Sequence, residues 1–176
     1  MDEFEIIPFI KNITNLNFTK YNFMKIGQKP KNIKLIIDDK TVLTEKDLLG
    51  KKVIIYFYPK DDTPGCTVEA LDFTNFKKKF DKLNVLVIGV SKDSIQKHFK
   101  FIQKHNLEIK LASDEDGKLC EMFGVWVEKS MYGKKYMGIE RSTFLFDEKL
   151  FLVHAWEKVK VKNHVEEVLN HISKIS

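Results

Sequence analysis

The strongest pattern along the chain is an unbroken apolar run, Val53-Ile54-Ile55-Tyr56-Phe57-Tyr58, stopped by Pro59. β-Branched and aromatic residues without polar alternation predict a strand buried on both faces, and proline, which has no amide hydrogen, ends it. Beyond the loop from Lys60 to Gly65, residues Val68, Leu71, Phe73, Phe76 and Phe80 recur at roughly helical spacing around Lys77-Lys78-Lys79. They predict a helix of about four turns with the lysines exposed. Asn84 to Val90 reads as a second buried strand, Ser94 to His105 as an amphipathic helix and Ile109 to Ala112 as a third, shorter strand. Upstream, Lys34 to Ile37 reads as a strand before the turn residues Asp38-Asp39-Lys40, and Thr44 to Leu49 as a helical turn ending at Gly50. Downstream, Asp116 to Phe123 predicts a short helix, and Ser142 to Phe146 pairs with Leu150 to Trp156 as an antiparallel hairpin around Asp147-Glu148-Lys149. Asn163 to about Ile175 closes the chain as a helix.

The alternation of strand and helix through the first half implies a parallel sheet, to which the hairpin adds antiparallel strands. The order is that of an α/β, thioredoxin-like fold, a central mixed β-sheet flanked by helices. Residues 25–176 form that single domain in this reading. Residues 1–24 lack clean periodicity and read as an N-terminal extension of unknown role. A chain of 176 residues can bury a sizeable core without disulfides or metals.

Charge narrows the possible partners. The formal net charge is +5, but lysines and carboxylates interleave along most of the chain, as on an ordinary solvated surface. Nucleic-acid binding is not expected. No apolar run approaches the roughly 18–20 residues that span a bilayer, and Met1-Asp2-Glu3-Phe4-Glu5 is acidic where a leader peptide would be basic. The expectation is a soluble, cytoplasmic chain.

Candidate chemistry centres on two cysteines, Cys66 and Cys120, spaced neither as a CxxC pair nor as zinc ligands. Cys66 falls at the predicted start of a helix, where unpaired amide groups and the positive end of the macrodipole favour negative charge on sulfur. Arg141 is the only arginine among 30 basic residues, and its planar, permanently charged fork of donors is something lysine cannot imitate. Glu69, one turn into the same helix, suits the dipole and is placed to hold an arginine. Each residue alone has a plainer reading: Cys66 as an inert buried thiol, Thr63 as a helix cap, Pro59 as a strand terminator, Arg141 in a structural ion pair. His98 with His105, and His164 with His171, lie seven apart on predicted helices, but neither pair has further ligands at metal-site spacing.

The stretch Tyr56-Phe57-Tyr58-Pro59-Lys60-Asp61-Asp62-Thr63-Pro64-Gly65-Cys66-Thr67 resembles the active-site signature of peroxiredoxins, a Pro, three residues, Thr, two residues and Cys. The Lys-Asp-Asp-Thr-Pro-Gly-Cys-Thr wording, Asp114-Glu115-Asp116-Gly117, and Arg141-Ser142-Thr143-Phe144 before a strand resemble the bacterioferritin-comigratory, or Q-type, subfamily over roughly residues 25 to 172. The resemblance implies a thiol-dependent peroxidase that reduces hydrogen peroxide and organic hydroperoxides through a sulfenic acid on Cys66. Thr63 would hydrogen-bond the peroxide, Arg141 would stabilise the shifting charge and Pro59 would close the pocket. No cofactor or metal is implied. Many Q-type members carry a resolving cysteine five positions on, where this chain has Leu71, and Ser94 to His105 holds none. Cys120, the other thiol, reads as a small hydrophobe on a packed helix face; the alternative, a resolving bond to Cys66, needs the two Cα atoms within about 7 Å, and an external thiol such as thioredoxin, glutaredoxin or a small thiol is the expected reductant. A monomer or weak dimer is expected. The competing reading is a thioredoxin-like redox sensor that relays oxidation of Cys66 without efficient turnover. Trp126, Tyr132 and Tyr136 among Lys129, Lys134 and Lys135 could stack on nucleic acid; by the resemblance that segment is a loop before Arg141.

Overall fold

A computed structural model describes residues 23–176. All but the last two residues of the segment read as an extension, 1–24, lie outside the described residues. Of those two, Met24 is buried and the Phe23 ring sits 5.1 Å from that of Phe144.

The central strand β3 (Lys52–Phe57) pairs in parallel with β4 (Val85–Ser91), and β4 in parallel with β5 (Lys110–Ser113). The other side of β3 pairs antiparallel with β8 (Ser142–Phe146), which carries β9 (Leu152–Trp156). Two short strands, β1 (Leu35–Ile36) and β2 (Val42–Leu43), extend the β5 side antiparallel. The seven-stranded order β2-β1-β5-β4-β3-β8-β9 is therefore a mixed sheet with a parallel centre, as the sequence pattern leads one to expect.

Alternation along β3 sorts the core into two clusters. Val53, Ile55 and Phe57 face one side, packed with Phe144, Phe146, Leu48 of α1 (Glu45–Leu48) and Leu119, Cys120 and Phe123 around α5 (Lys118–Met122). Ile54, Tyr56 and Tyr58 face the other side. There they pack with Cys66, Ala70 and Phe73 of α2 (Pro64–Asn75), Phe80 of α3 (Lys77–Lys82), Phe101 of α4 (Ile95–His105) and Val165, Val168, Leu169 and Ile172 of α6 (His164–Ile175). Gly89 is required here because a Cβ on it would stand 2.6 Å from Cζ of the Tyr56 ring, which lies across its neighbour strand.

Two expectations are corrected. The helix of about four turns is two helices, α2 and α3, meeting at Phe76. Thr74 and Asn75 are poor interior helix residues, and the break still leaves Phe73 and Phe80 fully buried with ring centroids 5.9 Å apart. The segment before Arg141 is not a loop but a hairpin, β6 (Trp126–Met131) against β7 (Lys134–Ile139). Its two-residue turn places Tyr132 at φ +51° and Gly133 at φ +76°, the left-handed pair that suits the twist of a tight hairpin. Most of its residues are exposed, so no hydrophobic alternation marks it in the sequence.

Candidate active site

The site forms where β3 ends and α2 begins. Thr63 is the N-cap residue of α2 and Pro64 its first helical position, a fit of fixed φ and missing N–H to a place that needs no donor. The first intrahelical bond, Thr67 N to Thr63 O at 2.8 Å, leaves the amides of Gly65 and Cys66 in the turn that has no helical acceptors. The Thr63 side chain does not cap the helix. Its hydroxyl donates instead to the Lys60 carbonyl at 3.0 Å, which keeps the oxygen's lone pairs for another donor. Pro59 is exposed.

Cys66 is 2% exposed. The chain brings Arg141 to it across the sheet: Arg141 ends the hairpin connection just before β8, with its guanidinium directed at the first turn of α2. Nη2 donates to Cys66 Sγ at 3.2 Å, and Nη1 donates to Glu69 Oε2 in an ion pair. One planar fork thus joins the sulfur and the carboxylate, which a lysine could not do. Burial pushes the Glu69 carboxyl up to about 7, against the opposing pull of Arg141. The second Glu69 oxygen and the Tyr56 hydroxyl are buried without a hydrogen-bond partner among the described residues. Burial, with the nearby Glu69, Cys66 and Asp61, holds the Tyr56 hydroxyl well above the ordinary range.

Further residues border the site that the sequence pattern did not single out for it. Lys129 of β6 donates from Nζ to the Ile139 carbonyl at 2.5 Å. Burial and Arg141 lower its ammonium below the ordinary lysine range, while Glu140 and Cys66 pull the other way. Val161 packs near Gly65, and Val159 N bonds to the Arg141 carbonyl at 2.8 Å, so the strand-to-helix connection before α6 runs past the guanidinium. No local sequence signal marks these positions, since each is brought in from a distant element.

The second cysteine is elsewhere. Cys120 is fully buried in the cluster on the opposite face of the sheet. Its amide donates to Asp114 Oδ2 at 2.8 Å, and burial followed by that carboxylate raises its thiol far above the ordinary range. The histidines of each pair meet different partners: His98 and His105 contact Asp61 and Asp62, His164 contacts Thr143, and the His171 ring lies tilted against His154 and edge-on to Trp156. Among the described residues, no group of three or more potential ligands is placed to hold a metal ion, and no helix is long and apolar enough to cross a membrane.

Residues 26–155 match the AhpC/TSA family. The bcp peroxiredoxin of Coxiella burnetii is 50% identical over 149 residues, 85% of this chain and 99% of that protein. Peroxiredoxin Bcp of Bacillus subtilis is 48% identical over 153 residues, 87% of this chain and 98% of that protein. The chain belongs to the AhpC/TSA family, among its bacterioferritin comigratory peroxiredoxins. The solved bacterioferritin comigratory protein of Xanthomonas campestris, studied for its alkyl peroxide reduction activity, superposes with a TM-score of 0.81 at 40% identity, covering 87% of this chain and 98% of its own. This peroxiredoxin is a thiol-dependent peroxidase: its substrate is a peroxide and its electrons come from a thiol.

Proposed function

We propose that Cys66 is the peroxidatic residue, and that Arg141, Thr63 and Pro59 build the peroxide site around it. The carrying observation is the Arg141 fork that donates to the Cys66 sulfur from one nitrogen and is fixed by Glu69 through the other. In this reading the Cys66 thiolate attacks one peroxide oxygen, an S–O bond forms and the O–O bond breaks. Sulfur is oxidised by two electrons, and the departing oxygen takes a proton and leaves as water or alcohol. Arg141 follows the negative charge as it moves from sulfur to oxygen, a donor already in place and needing no reorganisation. Thr63, whose hydroxyl proton is committed to Lys60, accepts from the peroxide O–H. The amides of Gly65 and Cys66 face the oxygen being displaced, and Pro59 covers the outer side of the pocket. Hydrogen peroxide and organic hydroperoxides are the proposed substrates.

The sulfenic acid is then resolved by an external thiol: the first thiol displaces water to give a mixed disulfide, and a second releases Cys66 as the thiol and leaves with the external disulfide. The position of Cys120, across the sheet and buried, supports this over an internal disulfide, which needs Cα atoms within about 7 Å. Thioredoxin, glutaredoxin or a small thiol fits the role, and the chain acts as a monomer or weak dimer in the reducing cytoplasm, where unpaired cysteines persist. Residues 25–176 are the catalytic domain. The test is rapid mixing of the reduced protein with hydrogen peroxide, followed by intact mass. Fast oxidation that gains one oxygen and disappears in Cys66→Ser but survives in Cys120→Ser is expected. A loss of two hydrogens that Cys120→Ser abolishes would instead make Cys120 the resolving thiol, and slow oxidation of the wild type would overturn the assignment of Cys66.

A further inference from the structure

The two histidines of α4, seven residues apart and so on one helix face, both reach the loop that precedes Cys66. Asp61 is 8% exposed and His98 is 1% exposed. The Asp61 carboxylate accepts from the Tyr58 hydroxyl at 2.6 Å on Oδ1 and meets His98 Nδ1 at 2.7 Å on Oδ2. The other ring nitrogen of His98 faces the Ala112 carbonyl at 3.2 Å, which ties the imidazole to β5. The Asp61 amide donates to Asp93 Oδ2 at 2.8 Å, an oxygen also held by the Ser91 hydroxyl at 2.9 Å. One residue on, Asp62 sits at φ +57°, a left-handed conformation that a side chain other than glycine adopts at a cost. Its carboxylate is held from the same helix by Lys104 at 2.6 Å and His105 at 2.7 Å. The loop is short and strained, and its next residue is Thr63. A buried carboxylate without these partners would be expensive, so the contacts settle where the loop lies.

We propose that α4 is the positioning element of the peroxide site: His98 acting through Asp61, and His105 with Lys104 acting through Asp62, hold the loop so that Thr63 and the first turn of α2 meet the peroxide. None of these α4 residues touches the sulfur, so they are positioning residues and not catalytic ones. The inference rests on the assignment of Cys66 and Thr63 above. A displacement on the order of 1 Å at a reacting group is enough to slow a reaction by up to about a hundredfold, whereas a small alkylating agent needs only the thiolate and access to it, not the positioned peroxide site.

The experiment compares two rates on the reduced full-length protein, each well below the melting temperature of the variant used. One is the second-order rate constant with hydrogen peroxide; the other is alkylation of Cys66 by iodoacetamide, located by mass. In His98→Leu the peroxide rate is expected to fall by about tenfold or more, with alkylation unchanged or faster, and His98→Gln, which keeps one donor, recovers part of the loss. Asp62→Asn keeps a residue that tolerates positive φ but removes the charge that Lys104 and His105 hold, and is expected to lower the peroxide rate by about threefold without slowing alkylation. If His98→Leu does not fold, Asp62→Asn decides. Peroxide rates within twofold of wild type, or a parallel fall in both rates, would overturn the proposal. A wild type slow with peroxide would instead count against the Cys66 assignment itself.

Discussion

The two faces of the sheet carry one cysteine each, and both are buried, at 2% for Cys66 and 0% for Cys120. The difference lies in what charge is next door. Cys66 is approached by the only guanidinium in the chain; Cys120 has a carboxylate beside it and an apolar wall of Phe123, Leu119 and Val125. The Cys66 side also buries Glu69, Tyr56, Tyr58, His98, Thr143 and His164. Polar burial is costly unless paired: Thr143 pairs with His164, Tyr58 and His98 both with Asp61, and Glu69 with Arg141. Burial therefore does not distinguish the two thiols; the sign of the neighbouring charge does, and it is a positive neighbour that favours the nucleophilic thiolate.

The most severe way to break this contrast is to remove the guanidinium. Arg141→Met should lower the rate constant with hydrogen peroxide by about 10²–10³-fold, the range seen when a donor to developing charge is lost, measured by stopped-flow fluorescence. Arg141→Lys should recover little, because one ammonium cannot hold both Glu69 and the sulfur in a fixed plane.

A smaller effect concerns pH. The Glu69 carboxyl is raised from 4.5 to about 7, so the stability it contributes is fully present below pH 4.5 and is lost as pH rises through about 7. His164 is buried against Thr143 and lowered from 6.5 to about 4. Its contribution is present above pH 6.5 and is lost as pH falls through about 4. Glu69→Gln should therefore shift the pH of greatest thermal stability upward, and His164→Gln should shift it downward, each by on the order of one pH unit in melting curves. Matching curves for wild type and Glu69→Gln would show that Arg141 fully compensates the buried carboxyl.

The smallest effect is expected on the other face. Cys120→Ala removes a buried sulfur from an apolar cluster and should cost about 1–2 kcal/mol in urea unfolding, with the peroxide rate within about twofold of wild type. A loss of peroxidase activity in that variant would join the two faces functionally and undo the contrast.

Much of this protein was written locally. The run Val53 to Tyr58 determined the central strand, because continuous β-branched and aromatic residues leave no solvent face, and Val68, Leu71, Phe73, Phe76 and Phe80 determined helix beyond the loop, because apolar residues at that spacing gather on one side of a helix. The lone arginine drew attention to Arg141 for the same kind of reason, its chemistry being unlike that of every other cation in the chain. The tertiary structure alone decided that Arg141, 75 residues downstream, lies 3.2 Å from the sulfur, that Cys120 lies across the sheet, and that α4 holds the loop before Cys66. The spacing of His98 and His105 was visible, but not that Asp61 and Asp62 would meet them. The hairpin β6–β7 was not legible because its side chains are mostly exposed and carry no periodic burial. Periodicity reports which face of an element is buried; it is silent on which two buried faces meet, since that depends on strand order and crossover, set by packing among residues far apart in the chain.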